Sequence, residues 1–145
     1  LNLVTQSITN SSEVKQAAET IVNRVDGIYL TTDNTVFSAL SSLIQVFEKA
    51  KKPIFSGDVT GAMNGGCVIA SGFNYYKAGR ATGEMVLQIL NGKKPSELPV
   101  RFMTEPEDFD LLFDLDSAKN CGIEIPKKYL DTASMIFFFF FLIQK

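Results

Sequence analysis

The segment Gly27-Ile28-Tyr29-Leu30-Thr31-Thr32-Asp33-Asn34-Thr35 decides how this chain folds. Its first part is short and continuously apolar, without the polar alternation of a half-exposed strand, and suits a strand buried on both faces of a parallel sheet. The polar run Thr32-Asp33-Asn34-Thr35 then supplies several N-cap side chains for a following helix. A strand that runs straight into a helix is the repeating unit of α/β sheets.

Downstream, Val36, Phe37, Leu40, Ile44 and Phe47 line one side of that helix. Lys49, Lys51 and Lys52 suit the negative end of its dipole, and Pro53 stops it. Pro53-Ile54-Phe55-Ser56 reads as a second strand ending in the turn Gly57-Asp58, and a loop with Gly61, Asn64, Gly65 and Gly66 leads to a third, Cys67-Val68-Ile69-Ala70. A helix is predicted from about Tyr75 to Leu90, with Ala78, Ala81, Met85, Val86, Ile89 and Leu90 on one side and Asn91-Gly92 as its cap. Gly79 and Gly83 each weaken that helix by about 1 kcal/mol relative to alanine, so close packing against a crossing element is expected there.

Upstream, Leu1 to Ile8 is β-compatible and ends at Asn10-Ser11-Ser12-Glu13, where Asn10 can accept from first-turn N–H groups while Glu13 reaches back. The helix that starts there carries Val14, Ala17, Ala18, Ile21 and Val22 as its buried stripe. Alternating strands and helices predict an α/β fold, a three-layer parallel sheet with flanking helices. Past Pro95 and Pro99, Val100-Arg101-Phe102-Met103 and Asp110-Leu111-Leu112-Phe113 are candidate strands, and Asp116 to Asn120 a helical turn. The apolar run Met135 to Ile143, with five consecutive phenylalanines, is about half a membrane span. Non-native sequence is the preferred account of it; a packed terminal strand or a truncated membrane anchor are the alternatives.

Composition narrows the chemistry. The 145 residues fit one ordinary domain, and a net charge of −2 with interspersed signs offers no footprint for nucleic acid or an anionic membrane. The absence of histidine removes the commonest general base and the commonest metal ligand. Cys67 and Cys121 have no partners at metal spacing and read as small buried hydrophobes. No cofactor, metal or catalytic residue is expected, and Lys77 and Arg80 read as surface charges.

In an open α/β sheet, ligands bind outside the carboxyl ends of the strands. Asp33 and Asp58 follow adjacent predicted strands, so both carboxylates fall at one edge, where together they can hold an ammonium group. By spacing alone, Thr32, Asp33 and Asn34 serve equally well as a helix cap, and Asp58 as a turn residue. Ser11 and Ser12 stand at another strand-to-helix junction and either cap the helix or face the same cleft. Phe73, Tyr75 and Tyr76 follow the third strand and either stack on a ligand or pack at a hinge. Paired aspartates also bind Mg²⁺, but no phosphate-binding glycine loop accompanies them.

Three stretches come in order: Ser11-Ser12-Glu13-Val14 with Ala17-Ala18, Val25 to Val36, and Lys52-Pro53-Ile54-Phe55-Ser56-Gly57-Asp58. With Asn74 to Gly83, Leu90 to Pro95 and Ser117 to Pro126, they resemble the ABC-transporter substrate-binding protein family, in particular its tryptophan/tyrosine-type members with a type I periplasmic-binding fold. The likeness covers about residues 3 to 133, and the T-D-N turn and the Y-Y-x-x-G-R-x-x-G helix are its most telling parts.

The resemblance implies a non-enzymatic protein whose two lobes close on a small molecule, often an amino acid, and dock on an ABC permease membrane subunit. It implies that residues 1–71 are most of one lobe, incomplete here, and that 72–133 comprise the hinge crossing near Gly72 to Asn74, a helix packed on the other lobe and the C-terminal segment. Residues 134–145 form the atypical tail, which matches nothing in the family. A periplasmic protein or membrane-anchored extracytoplasmic lipoprotein, monomeric at full length, is expected. The first lobe, the opening strand and helix of the second, and an export signal would then belong to sequence ahead of Leu1. Asp114 stands where the resemblance leads us to expect asparagine. A ligand-sensing domain of a transcriptional regulator, which shares the fold, is the alternative, and a phosphate-receiver or enzyme domain a more distant one.

Overall fold

The computed structural model describes residues 1–137. A single 3₁₀ turn, Ser11–Glu13, opens α1 (Val14–Ile21), and β1 (Ile28–Leu30) follows. Next come α2 (Asn34–Phe37), α3 (Leu40–Lys49) and β2 (Ile54–Ser56). The chain continues through β3 (Ile69–Phe73), α4 (Tyr75–Leu90), β4 (Phe109–Asp114), α5 (Leu115–Asn120), α6 (Lys127–Leu130) and β5 (Met135–Phe137). The strands lie in the order β1-β2-β3-β4-β5. All neighbours are parallel except β3 and β4, so the sheet is mostly parallel rather than wholly so.

The register fixes one buried face. Ile28 sits opposite Ile54, Leu30 opposite Ser56 and Ser56 opposite Ala70, with Leu112 across from Ala70. Leu30, Ile54, Ala70 and Leu112 join Val14, Ala18 and Ile21 of α1 and Leu40, Leu43 and Phe47 of α3 in a single core. These α1 and α3 residues recur every three or four positions, so each helix lays one stripe on the sheet. The opposite face is less covered. Tyr29, expected to be buried, is 65% exposed, because its side chain alternates onto the side away from α1 and α3.

Local chemistry explains several departures from expectation. The predicted helix after Thr35 breaks between α2 and α3, where the Ser38 hydroxyl donates to the Thr35 carbonyl at 2.9 Å and competes with the helical ladder. The third strand starts at Ile69, two residues late, and runs on to include Phe73. Val100 to Met103 is not a strand: it has no ladder partner, Val100 and Phe102 are exposed, and Arg101 instead pairs with Glu84 of α4 at 2.9 Å. Leu1 to Ile8 likewise finds no strand to pair with. Among the described residues Gly79 and Gly83 pack against nothing, since a Cβ built on either would meet no atom within 4 Å. Of the tail, Met135–Phe137 forms β5, parallel to β4; residues 138–145, and with them most of the phenylalanine run, lie outside the described residues. No helix among the described residues is long and apolar enough to cross a membrane.

Both cysteines are free. Burial, reinforced by the negative charge of Asp114, pushes the Cys67 thiol up to about 12. At pH 8 Cys67 in the folded chain is therefore almost wholly the unreactive thiol. Iodoacetamide at that pH should modify native protein at Cys121 alone, if at all, and both thiols only after urea unfolding; native labelling of Cys67, read by peptide mass, would contradict its burial.

Candidate functional site

The carboxyl ends of β1 and β2 carry the two turns singled out in the sequence, and the structure ties them together. The Gly57 amide donates to the Leu30 carbonyl at 2.8 Å, and the Thr32 hydroxyl reaches the Gly57 carbonyl at 3.4 Å. The turn after one strand thus holds the turn after the next.

Within that pair the two aspartates differ. Asp33 is exposed and caps α2, its Oδ1 accepting from the amides of Thr35 at 2.8 Å and Val36 at 3.1 Å. Capping and ligand contact are compatible, because Oδ2 takes no part in the cap. Asn34, the first residue of α2, is exposed beside it. Asp58 is only 7% exposed. Its Oδ1 accepts from the Thr60 amide at 2.8 Å and from the Thr60 hydroxyl, and its Oδ2 accepts from the Tyr75 hydroxyl at 3.2 Å. Among the described residues no lysine or arginine lies within ion-pair distance of either aspartate. Two carboxylates thus stand at one strand edge, one buried and one exposed, without a cation of their own among the described residues.

Gly72 sets the depth of the Asp58 turn. A Cβ at Gly72 would come within 3.0 Å of the Asp58 Cα and the Gly57 carbonyl, so β3 and this turn are in direct backbone contact. Beyond Gly72, Phe73 stacks on Phe109 with ring centroids 5.0 Å apart, and Asn74 donates from its side chain to Asp110 at 3.0 Å and from its amide to the Asp108 carbonyl at 2.9 Å. β3 and β4 form a two-stranded neck there, from which α4 projects.

Other expected residues stand apart. Ser11 and Ser12 are exposed in the turn ahead of α1; Ser12 bonds Asn10, and no hydrogen bond joins either serine to the Asp33 or Asp58 turns. Glu13 reaches back to the Thr9 amide at 2.8 Å and to the side-chain amide of Asn10 at 2.9 Å. Tyr76 is exposed on α4. Thr60 escaped sequence reasoning, although Asp58-Val59-Thr60 has the spacing of an aspartate turn, and Gly72 reads there only as part of the hinge crossing. A recess of about 750 Å³ lies elsewhere, between α3 and α5, and is lined by neither Asp33 nor Asp58. No cluster of three metal-ligating side chains occurs among the described residues.

A sequence model of the ABC transporter substrate binding protein family matches residues 1–136. The chain belongs to that family. It is 32% identical over 105 residues to a tyrosine-binding protein of Clostridioides difficile (strain R20291), a match spanning 72% of this chain and 30% of that protein. Solved structures share its fold. A conserved domain protein from Vibrio cholerae superposes with a TM-score of 0.81 at 32% identity, over 94% of this chain and 45% of the other. An ABC domain from Streptococcus pneumonia in complex with L-Trp gives 0.79 at 27% identity, with the same coverage. The chain thus spans less than half the length of these relatives. The family's members are substrate-binding proteins rather than enzymes.

Proposed function

We propose that this chain is part of the extracytoplasmic solute-binding component of an ABC importer, and that its share of the site holds the amino group of an amino acid or related compound. The observation that carries the reading is the pair of cation-free carboxylates, Asp33 and Asp58, on adjacent strand ends. A ligand ammonium supplies the missing positive charge and gains charge-assisted hydrogen bonds to both. Asn34 and Thr32 line the same turn and complete the polar contacts. Ser11 and Ser12, exposed at the head of α1, and Phe73 and Tyr76 beyond the neck are secondary candidates.

The rest of the protein follows from the same reading. Residues 1–71 make most of one lobe, the neck at Gly72 to Asn74 is the hinge crossing, and α4 packs on the other lobe. Val86, Leu87, Ile89 and Leu90 are exposed on α4, an apolar surface of the kind that marks an interface, and the open space at Gly79 and Gly83 leaves room for a close approach. Closure of the two lobes over the ligand then presents a docking surface to the membrane permease. The relatives named for tyrosine and crystallised with L-Trp make these two amino acids the first ligands to try.

Asparagine is as good an N-cap as aspartate, so Asp33→Asn removes the charge while keeping the bonds to Thr35 and Val36. In the full-length protein, Asp33→Asn should weaken binding of L-tyrosine or L-tryptophan more than tenfold by calorimetry, with an unchanged melting temperature; the threshold corresponds to about 1.4 kcal/mol. Undiminished affinity for both, or no binding of either by the unsubstituted protein, would remove the amino-group assignment.

A further inference from the structure

Asp58 is held from two directions. Thr60, in its own turn, occupies Oδ1 with two donors, while Oδ2 is held by a single side chain from a distant element, Tyr75. Tyr75 is the first residue of α4, whose N-cap is Asn74. Asn74 fixes the start of α4 to the neck through Asp108 and Asp110. Beyond that start only Ala81 of α4 is buried. The Tyr75 hydroxyl is therefore the polar link from α4 to the β2 turn.

We propose that Tyr75 is a positioning residue for ligand binding: its hydroxyl fixes the Asp58 carboxylate in the orientation that receives the ligand's ammonium group, and so couples ligand capture to the setting of α4. This rests on the reading of Asp58 as an ammonium partner. A carboxylate oxygen accepts more than one hydrogen bond, so Oδ2 can keep the Tyr75 hydroxyl and still take a ligand N–H. Without that hydroxyl the carboxylate is held through Oδ1 alone, and Oδ2 loses the contact that sets its direction, about a torsion with broad preferences. Gly72, pressed against the Asp58 backbone, fixes the turn from beneath, and Tyr75 fixes the side chain from α4.

The two groups also sense each other electrically. The charge of Asp58 is the main influence raising the Tyr75 phenol above its ordinary range, followed by burial and by the hydrogen bond itself. The phenol thus stays protonated, and remains a donor, at neutral pH.

A double-mutant cycle in the full-length protein tests the coupling, with L-tyrosine as the calorimetric probe. Tyr75→Phe, which removes one oxygen and keeps the ring, should weaken binding about tenfold in the unsubstituted background. In the Asp58→Asn background the same change should have less than a twofold effect, because the charge to be positioned is gone. Equal losses in the two backgrounds, or no loss in the first, would overturn the positioning role while leaving Asp58 a ligand contact. Unchanged affinity in Asp58→Asn alone, or no L-tyrosine binding at all, would instead overturn the ammonium reading and this inference with it. Thermal melts of all four proteins separate a folding defect from a binding one; a Tyr75→Phe loss that tracks its melting temperature also overturns the proposal.

Discussion

Replacing Phe47 with alanine should cost about 3–5 kcal/mol of folding stability, enough to leave a marginally stable chain largely unfolded. Phe47 is 0% exposed and sits on the stripe of α3 that meets α1 and the sheet. Truncating it removes a ring from a close-packed region, and the surrounding side chains belong to three separate elements that cannot all move inward. The cost is therefore the lost transfer energy of the ring plus that of the cavity left behind. Urea unfolding followed by circular dichroism measures it. A loss below about 1 kcal/mol would mean that α3 is not seated on the sheet as described.

Asp114 should give the second large effect. It ends β4, is 2% exposed, and accepts four hydrogen bonds. Oδ1 takes the amides of Asp116 at 3.1 Å and Ser117 at 2.9 Å; Oδ2 takes the Gly66 amide at 2.9 Å and the Ser117 hydroxyl at 2.8 Å. One side chain thus caps α5 and secures the glycine loop ahead of β3. Asp114→Ala leaves buried donors without partners and should cost about 3 kcal/mol. Asp114→Asn keeps the Oδ1 bonds but turns an amide NH₂ toward the Gly66 N–H, donor against donor, and should cost about 1 kcal/mol. The aspartate found where asparagine was expected is thereby explained: every partner is a donor. Denaturant midpoints for the two variants, with hydrogen exchange at the Gly66 amide, check the order. Equal tolerance of alanine and asparagine would refute it.

The elements that were legible in the sequence are those whose signals are local. Ile28–Leu30 and Ile54–Ser56 announce themselves as short apolar runs ended by polar turns, α1 by spacing and the cap Asn10, and α4 by spacing and the Asn91-Gly92 stop. Direction is not local: nothing in Phe109–Asp114 tells that this strand runs against β3. Nor is pairing: Val100 to Met103 has the composition of a strand and lacks only a neighbour. The candidate site divides the same way. Asp33 and Asp58 could be placed at one edge from their position after successive strands, but the Thr32–Gly57 tie and the reach of Tyr75 to Asp58, across 17 positions, exist only in the folded chain.

The neck between β3 and β4 has a consequence for how the chain is put together. Asn74 and Asp108, where the α4 excursion leaves and returns, are one hydrogen bond apart, and the Arg101–Glu84 pair, the Lys77–Glu107 bond and the caps at Lys94 and Glu105 all close within it. Topologically the excursion is an insertion into a β-hairpin. Joining Phe73 to Phe109 through a two-residue turn would leave the sheet register and the α1–α3 core intact and shorten a long loop closure at little entropic cost. The sheet-bearing part is thus expected to fold without the excursion, with Tyr75 the side chain whose contact with Asp58 such a cut would forfeit.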